Sequence, residues 1–424
     1  LGALAALPWT CVVFDEVHRL KGCEALVARC AQLLPRALRY GLTGTLVQNS
    51  LDELWTLVSL VRPRLLGTRA EFHARFVAPI KTGQRHGATL AQVVAGRRAG
   101  KVLARRLRRV VLRRDKGVLA PLLPGKADTV VFCRLSALQT AAYARLVASP
   151  VYRTLFALTR PCRCHSGRSV AECPCPFGRD SLGACAATGL SLQRELLPAI
   201  IRLQKLANHL LLLCPDESKG EGSAGASGSS GNSERAEREQ VFCDIAFGPD
   251  AARIAALCRD DGDQALLCGK IAVLRRIVRR AARARRKVLL FAHMTRTLDL
   301  LQHFLAREHV AHARMDGSVP AAARSALVAR FSRGADTVLL LSTRVASLGF
   351  SIPAATVVVI FEPDWNPAQD LQAQDRAYRI GQTRDTHVYR LVSANTVEEL
   401  VYERQVYKHQ LAAIALDGKC TRRY

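Results

Sequence analysis

The sequence predicts an α/β fold with parallel sheets in two successive parts of the chain. Short β-branched and aromatic runs alternate with helical patterns, and polar residues follow directly after the runs. Ligands bind such sheets at the carboxyl ends of the strands, so these polar residues are the candidates for function. The first part has predicted strands at 10–14 and 38–42 and a helix at 51–61. The second part has predicted strands at 287–292, 337–341 and 356–361.

Two helices of the second part are defined by their patterns. One begins near Lys270, and a second is capped by Ser318, runs to about residue 332 and ends at Gly334. The apolar face of the first helix consists of Ile271, Leu274, Ile277 and Ala281. Helices and strands therefore alternate in this part as in the first.

The charge of the chain indicates a polyanionic partner. Its 424 residues carry a formal net charge of +27, which is typical of proteins that bind nucleic acid. GC-rich codon usage is the alternative explanation, since Arg greatly outnumbers Lys. The densest basic run fits either phosphate contacts with DNA or a merely solvated helix face. It consists of Arg275, Arg276, Arg279, Arg280, Arg283, Arg285 and Arg286.

Length and cysteine usage narrow the class of protein. The chain is long enough for two or three domains, and no apolar run approaches the ~20 residues that span a bilayer. The 14 Cys are spread through a chain without a recognisable signal peptide, so we expect a reducing, intracellular compartment. The chain lacks an initiator Met, and we expect it to be a fragment.

Two motifs carry the residue types of nucleotide hydrolysis. Asp15 and Glu16 directly follow an apolar run; one carboxylate can hold Mg²⁺ and the other can activate a water molecule. A solvated acidic loop is the simpler explanation of this pair alone. Arg376 and Arg379 are predicted to share one helical face, where guanidinium groups could stabilise a phosphoryl transition state. A surface helix with ordinary ion pairs is the alternative.

Taken together, the motifs resemble those of SNF-type ATPases of helicase superfamily two. Asp15-Glu16-Val17-His18 resembles the DEAH-type Walker B box. The remaining similar segments, in chain order, are 42–45 with Gln48-Asn49 (LTGTPxQN), 112–114 (the LRR box), 361–367 (FDPxWNP) and 372–382 (QAxDRAxRIGQ). An RNA helicase of the same superfamily is disfavoured by the last motif and by the LRR box.

The resemblance implies two RecA-like lobes with parallel sheets, the first incomplete at 1–115 and the second at 116–424. It implies ATP and Mg²⁺ as cofactors and translocation along double-stranded DNA in the nucleus, in DNA repair or chromatin remodelling. Nucleosomes and DNA-repair proteins are the further candidate partners, and no membrane is expected. The alternative is a non-catalytic DNA-binding scaffold with the same fold. The segments 83–86 and 402–405 are similar to the excision-repair branch related to the Cockayne syndrome group B translocase.

The resemblance also assigns roles to single residues. Asp15 would hold Mg²⁺, Glu16 would be the catalytic base, and Arg376 and Arg379 would be arginine fingers. The remaining implied residues are His18 and Gln48 for coupling to the other lobe, Gly349 and Gln372 for the nucleotide, and Thr343, Arg344, Trp365 and Asn366 for DNA.

The sequence departs from the family pattern in several places. Leu46 stands where Pro is usual, Ala346-Ser347 replaces a Gly-Gly pair, and Ser351 replaces Asn. The sequence contains no G-x-x-x-x-G-K-[ST] loop, whose backbone and Lys bind phosphates. We therefore expect that residues 1–424 alone do not hydrolyse ATP.

A cysteine-rich stretch at 161–185 is predicted to bind zinc. Cys162, Cys164, Cys173 and Cys175 supply the four thiolates of a closed tetrahedral site. The spacing resembles the SEC-C zinc knuckle, but Pro174 separates the last pair, so Cys185 or His165 could substitute as the fourth ligand. A redox-sensitive loop without metal is the alternative. The Gly/Ser/Glu-rich stretch within 215–262 is predicted to be a flexible insertion.

Overall fold

The structure is a computed structural model that describes most of the chain. The described residues are 7–22, 25–34, 38–85, 87–114, 116–164, 169–170, 173, 175–176, 192–215, 229–259, 263–346 and 349–417. None of the helices in these ranges combines the length and apolar character that crossing a bilayer requires.

The chain divides into two compact units. The first contains Leu1–Leu123, Asp364–Gln372 and Tyr402–Tyr424, and the second contains Pro124–Pro363 and Ala373–Val401. The sequence predicts that the second lobe comprises residues 116–424. Two later segments pack instead with the first unit, because their contacts, which no local pattern reveals, are with residues of that unit.

The first unit contains a pair of parallel strands and several helices. Strands β1 (Cys11–Phe14) and β2 (Leu38–Gly41) pair in parallel, with Cys11 opposite Leu38. Both strands and the helix at 51–61 were predicted. The helices are Leu26–Gln32, Leu51–Val61, Arg69–Phe72, Ala78–Gln84 and Leu90–Leu107, with a π-helical turn at His73–Val77 and 3₁₀ turns at Val17–Leu20 and Lys116–Leu122.

Apolar faces of these helices form the core of the first unit. Ser50 caps the helix Leu51–Val61 by accepting a hydrogen bond from the Glu53 N–H at 3.4 Å, which satisfies one of the free N–H groups of the first turn. The core also includes residues of the long C-terminal helix Val397–Asp417. The buried core residues include Leu51, Leu54, Phe72, Phe76, Leu103, Leu107, Leu411 and Ile414.

The second unit is built on a parallel sheet with six strands among the described residues. The strand order is β3-β8-β7-β4-β6-β5, and every pairing is parallel. The strands are β3 (Lys126–Cys133), β4 (Lys287–Ala292), β5 (His312–Met315), β6 (Val338–Ser342), β7 (Ala355–Ile360) and β8 (Thr386–Ser393). The predicted strands at 287–292, 337–341 and 356–361 are confirmed as β4, β6 and β7.

Helices cover both faces of this sheet. The helix Gly269–Arg283 packs on one face, where Leu274 and Val278 contact the core residues Val288 and Leu290. The opposite face is covered by a core that includes Leu289, Leu339, Phe331 and Ala373. The other helices of this unit are Ala137–Ala148, Pro150–Thr159, Leu192–Asn208, Ser229–Phe247, Ala251–Arg259, Gln264–Leu267, Thr295–Arg307, Ala321–Arg333 and Thr343–Ala346, with 3₁₀ turns at Leu210–Leu212 and Gly248–Asp250. The helices Pro367–Gln374 and Val397–Asp417 each have residues in both units.

The predicted flexible insertion is wrong for its C-terminal half. Residues 216–228 lie outside the described residues, but Ser229–Phe247 and Ala251–Arg259 are helical. Phe242, Ala246 and Ile254 are buried in a core that they share with Leu138 and other residues. Residues 241–258 are rich in apolar side chains, so only the stretch before them has the composition of a flexible insertion.

The start of the predicted helix at 318–332 is also wrong. The helix is Ala321–Arg333 and follows Pro320. Ser318 does not cap it, since both its N–H and its hydroxyl donate to Asp316 Oδ1, at 2.9 and 2.5 Å. Asp316 therefore organises the turn that precedes the helix.

Candidate functional site

The carboxylate pair lies at the carboxyl end of β1. Asp15 is exposed and Glu16 is half-buried, and the Glu16 N–H donates to Asp15 Oδ1 at 2.9 Å. Glu16 has φ 47° and ψ 48°, a left-handed conformation that costs a residue with a side chain on the order of 1 kcal/mol or more. The β1 backbone holds this turn, because Leu42 N–H donates to Phe14 O at 2.8 Å and Val17 N–H donates to Leu42 O at 2.9 Å.

His18 joins this turn to the loop after β2. Its Nδ1 lies 3.2 Å from Glu16 Oε2 and 2.9 Å from Thr43 Oγ1. Burial lowers the pKa of His18 below its ordinary value, and nearby Lys21 and Arg19 act in the same direction against the Glu16 carboxylate. The imidazole is therefore neutral at neutral pH, and its Nδ1 is hydrogen-bonded to Thr43 Oγ1 while lying close to the Glu16 carboxylate.

Gln48 is the second connecting residue and is almost fully buried. Its Oε1 accepts from Lys21 Nζ at 2.8 Å, and its Nε2 donates to Thr45 Oγ1 at 3.1 Å. Asn366 Nδ2 also approaches Gln48 Oε1, at 3.5 Å. Thr43 Oγ1 donates to Thr45 O at 3.0 Å, so the contacts of His18 and those of Gln48 form one continuous network.

The loop that carries Trp365 and Asn366 packs within the first unit. Asn366 N–H donates to Asp364 Oδ1 at 2.7 Å, and Asn366 Oδ1 accepts from the Ala368 N–H at 3.2 Å, at the start of the helix Pro367–Gln374. Lys408 Nζ donates to Trp365 O at 2.6 Å. Trp365 keeps 42% of its surface exposed. The loop therefore has a fixed backbone and an accessible indole.

Two residues that hold this loop were missed as site residues. Gln405 Nε2 donates to Asp370 Oδ2 at 2.8 Å and also to Asp364 O. Lys408 lies one turn later on the same helix. The segment 402–405 had been noted only for its resemblance to one branch, and nothing in its local pattern places it beside residues about 40 positions earlier.

The two arginines lie in the second unit, and the predicted helical placement is wrong. The helix Pro367–Gln374 ends before both residues, and 375–381 form turns. Arg376 Nη1 donates to Phe350 O at 3.0 Å, and its guanidinium lies 5.7 Å from the centre of the Phe350 ring. The Ile352 N–H donates to Arg376 O at 2.9 Å. Arg379 is exposed.

The two predicted nucleotide-binding residues differ in their surroundings. Gly349 is exposed with φ +62°, and a Cβ there would contact nothing within 4 Å. Glycine is therefore favoured by the positive φ and not by a lack of room for a side chain. Gln372 is half-buried on the helix Pro367–Gln374. Ser347, one of the residues that replace the family's Gly-Gly pair, lies outside the described residues.

Thr343 and Arg344 follow β6 and face different environments. Thr343 is 1% exposed, and its Oγ1 lies 3.3 Å from His293 Nδ1. Arg344 is exposed. Only Arg344 of this pair therefore presents its side chain to a ligand outside the fold.

Glu362 is a buried carboxylate that sequence reasoning did not select. It accepts from Thr297 Oγ1 at 2.5 Å and from the N–H groups of His293 and Met294 at 2.7 and 3.0 Å. Burial raises the pKa of Glu362, although these hydrogen bonds and Lys270 oppose the rise. Glu362 fixes the start of the helix Thr295–Arg307 and, with it, His293 beside Thr343.

The four predicted metal ligands converge. Their sulfur atoms all lie within 4.8 Å of one another, with Cys162 and Cys175 at 3.4 Å and Cys164 and Cys173 at 3.3 Å. A zinc ion with four bonds of about 2.3 Å needs sulfurs roughly 3.8 Å apart. The alternative ligands His165 and Cys185 lie outside the described residues.

The backbone brings the two halves of this cluster together. Pro161 and Ser169 form an antiparallel bridge, and Val170 N–H donates to Arg160 O at 2.9 Å. Leu158 and Val170 pack against the cluster. The donor set, four cysteines that form no disulfide and whose sulfur atoms lie close together, fits a structural zinc ion.

The sequence matches two domain families. Residues 2–210 match the SNF2-related domain, and residues 269–381 match the helicase conserved C-terminal domain. The chain belongs to the SNF2-related family of helicase-like ATPases. The SNF2-related match holds Asp15, Glu16 and Gln48 as well as the four cysteines, and the helicase C-terminal match holds Arg376 and Arg379.

Curated relatives of this SNF2-related chain are longer than it is. It is 36% identical to Switch 2 of Arabidopsis thaliana, over 99% of this chain and 49% of that protein. It is 35% identical to the DNA excision repair protein ERCC-6-like 2 of Mus musculus, over 100% of this chain and 26% of that protein. It is 30% identical to the DNA excision repair protein ERCC-6 of Homo sapiens, over 98% of this chain and 24% of that protein. The chain thus spans half or less of these proteins.

A solved structure is also similar to part of the chain. The crystal structure of the C-terminal part of the Fun30 ATPase domain is 22% identical, covers 70% of this chain and 98% of its own, and has a TM-score of 0.44. No role of a single residue is transferred from that structure.

Proposed function

We propose that this chain supplies the motor of an ATP-dependent translocase that acts on double-stranded DNA. The observation that carries the proposal is the chain of contacts in which His18 lies beside Glu16 and is joined by hydrogen bonds, through Thr43 and Thr45, to Gln48 and Asn366. Such a network can couple a hydrolytic carboxylate to a loop with an exposed Trp. We propose DNA repair or chromatin remodelling in the nucleus as the process, with nucleosomes and repair proteins as further partners.

We propose that the two compact units are the two RecA-like lobes and that residues of each serve ATP hydrolysis. The exposed oxygens of Asp15 suit Mg²⁺, a hard cation that keeps most of its waters. Glu16 would orient and deprotonate the attacking water, and Arg376 and Arg379 would stabilise the charge that develops on the phosphoryl oxygens. Bound ATP with Mg²⁺ supplies the phosphoryl group that passes to water.

For DNA, we propose different roles for the two residues that follow β6. Arg344 is exposed and would contact a phosphate. Thr343 is buried against His293, so it would position this turn rather than bind DNA through its hydroxyl. Trp365 and Asn366 would present the second contact, on the loop that Lys408 and Gln405 hold.

We further propose that residues 1–424 alone do not hydrolyse ATP. Their sequence contains no G-x-x-x-x-G-K-[ST] loop to hold the phosphates. The strands beside Asp15 are also open to solvent: Val13 and Tyr40 are 56% and 53% exposed, whereas parallel sheets are generally covered on both faces.

The test compares this chain with a chimera in an ATPase assay. Residues 1–424 should give no DNA-stimulated turnover above background. Fusing the region that precedes the matched part of the mouse ERCC-6-like 2 protein should give hydrolysis that duplex DNA stimulates. Turnover by residues 1–424 alone would refute the inactivity, and a chimera that binds duplex DNA without hydrolysing ATP would favour the non-catalytic scaffold.

We also propose that Cys162, Cys164, Cys173 and Cys175 hold one structural zinc ion. Elemental analysis of the purified chain should find about one zinc per chain. Because Cys164 is exposed, Cys164→Ser removes a ligand with little loss of packing and should lower the zinc content severalfold. The matched control is Cys30→Ser, which changes a half-buried Cys of the first unit and should leave the zinc content unchanged. A wild-type content far below one per chain would contradict the site.

A further inference from the structure

A basic groove lies on the second unit, on the helix Gly269–Arg283 and the strands beneath it. One part, of about 600 Å³, is lined by Arg276, Arg279, Arg280, Arg283 and Ala284. The adjoining part, of about 430 Å³, shares Arg276, Arg280 and Ala284 with the first. Its other lining residues are Ile277, Ala281, Arg286, Val357, His387 and Tyr389.

The arginines of this helix, together with Arg286 after it, fall into two groups. Arg275 pairs with Asp263 at 2.5 Å and with Glu308 at 2.9 Å, and Arg279 pairs with Glu308 at 2.9 Å. Within the described part of the chain, no acidic side chain pairs with the other group, which consists of Arg276, Arg280, Arg283 and Arg286. Like charges this close repel each other, so an anionic ligand would relieve the repulsion.

The groove is separate from the motif residues of its own unit. The helix Gly269–Arg283 packs on one face of the sheet, whereas Ala373 and Ala377, which flank Arg376, pack on the opposite face. Val357 and His387 lie near the starts of β7 and β8. Thr343 and Glu362 follow the ends of β6 and β7. The groove is therefore near the amino ends of β7 and β8, away from Thr343 and Glu362, and on the sheet face opposite Ala373 and Ala377.

We propose that this groove binds an acidic protein segment that carries an apolar side chain among its carboxylates. Guanidinium groups at 276, 280 and 283 lie along one side of a helix over roughly 10 Å, and they pair bidentately with carboxylates. Between them the floor is apolar, formed by Ile277, Ala281 and Val357 with the Tyr389 ring. An acidic segment with one apolar side chain can pair its carboxylates with the arginines and cover the apolar floor with that side chain.

Duplex DNA could contact only the basic part of this site. Its phosphates would pair with the arginines, but a duplex backbone offers nothing apolar to cover the floor. The acidic protein segment is therefore favoured.

The experiment measures the binding of labelled probes by fluorescence polarisation at about 0.15 M salt. The main probe is a peptide of about eight residues, Glu throughout except for one central Leu, which is replaced by Ser in the second probe. Single-stranded and duplex DNA of similar charge are the third and fourth. The test variant of the 424-residue chain is R276Q/R280Q/R283Q. The matched control is R97Q/R98Q/K101Q, which removes three exposed charges from the helix Leu90–Leu107.

The Leu-containing peptide should bind the wild type and the control equally and the test variant at least about tenfold more weakly. The Ser peptide should bind the wild type several-fold more weakly than the Leu peptide. Equal peptide binding by all three proteins would overturn the proposal. So would a loss in the test variant that affects the DNA probes and not the peptide, since the occupant would then be nucleic acid. None of these results depends on ATP hydrolysis.

Discussion

Replacing Lys270 by Met is expected to lower the free energy of unfolding by about 3–5 kcal/mol. The Lys270 and Glu398 side chains are 1% and 2% exposed, and Lys270 Nζ lies 2.7 Å from Glu398 Oε2. Lys270 Nζ also donates to Asn208 Oδ1 and to Phe361 O, both at 2.7 Å. Removing the lysine leaves a carboxylate buried without its counter-charge, which water cannot reach to solvate.

Urea denaturation followed by circular dichroism measures this effect. The matched control is Arg113→Met, which breaks the exposed pair with Asp417 at 2.7 Å and should cost less than about 1 kcal/mol. The double variant Lys270→Met/Glu398→Gln should recover part of the loss, because it also removes the unpaired charge. Equal losses for Lys270→Met and Arg113→Met would show that burial does not strengthen the pair.

Lys270 also has a positional role. Its bond to Phe361 O fixes the end of β7 directly before Glu362, which holds His293 beside Thr343. The stability of the second unit and the geometry of its candidate DNA contact thus depend on the same buried network.

In the chimera, Glu16→Gln is expected to lower kcat by about 10²–10⁴-fold, and Arg376→Ala by about 10³-fold or more. Glutamine keeps the size of Glu16 but cannot take a proton from water. Alanine removes the guanidinium that Phe350 orients. Both effects should appear in kcat, with duplex DNA affinity changed less than about twofold.

Two variants control for the loss of a charge elsewhere. Glu403→Gln changes an exposed carboxylate on the last helix, and Arg384→Ala changes an exposed guanidinium in the second unit. Both should leave kcat within about twofold of the parent. If Arg376→Ala left kcat unchanged while Arg384→Ala abolished it, the assignment of the arginine finger would be wrong.

Some parts of the fold could be predicted because their signal is local. Strands β4, β6 and β7 are continuous apolar runs, as strands buried on both faces must be. Strands β3 and β8 were not predicted, because their apolar and polar residues alternate irregularly. The two strands pair with each other in parallel, although the paired residues are about 260 positions apart in the sequence.

The candidate site divides in the same way. The identity of Asp15, Glu16, Gln48 and Arg376 followed from motifs, because chemistry restricts which side chains can serve. The residues that contact these side chains could not be predicted from the motifs. Lys21 and Asn366 contact Gln48 from 27 residues before it and 318 residues after it.

By itself, the sequence determined the α/β class, the family and the residue types that meet at the strand ends, since these depend on short-range patterns and on fixed chemical requirements. The tertiary structure alone decided which arginines of the 275–286 run are paired by acids and which line a groove without an acidic partner. It also decided that the four cysteines converge and that residues 402–417 join the first unit. These outcomes depend on packing between distant segments, where burial and charge pairing are properties of the assembled fold.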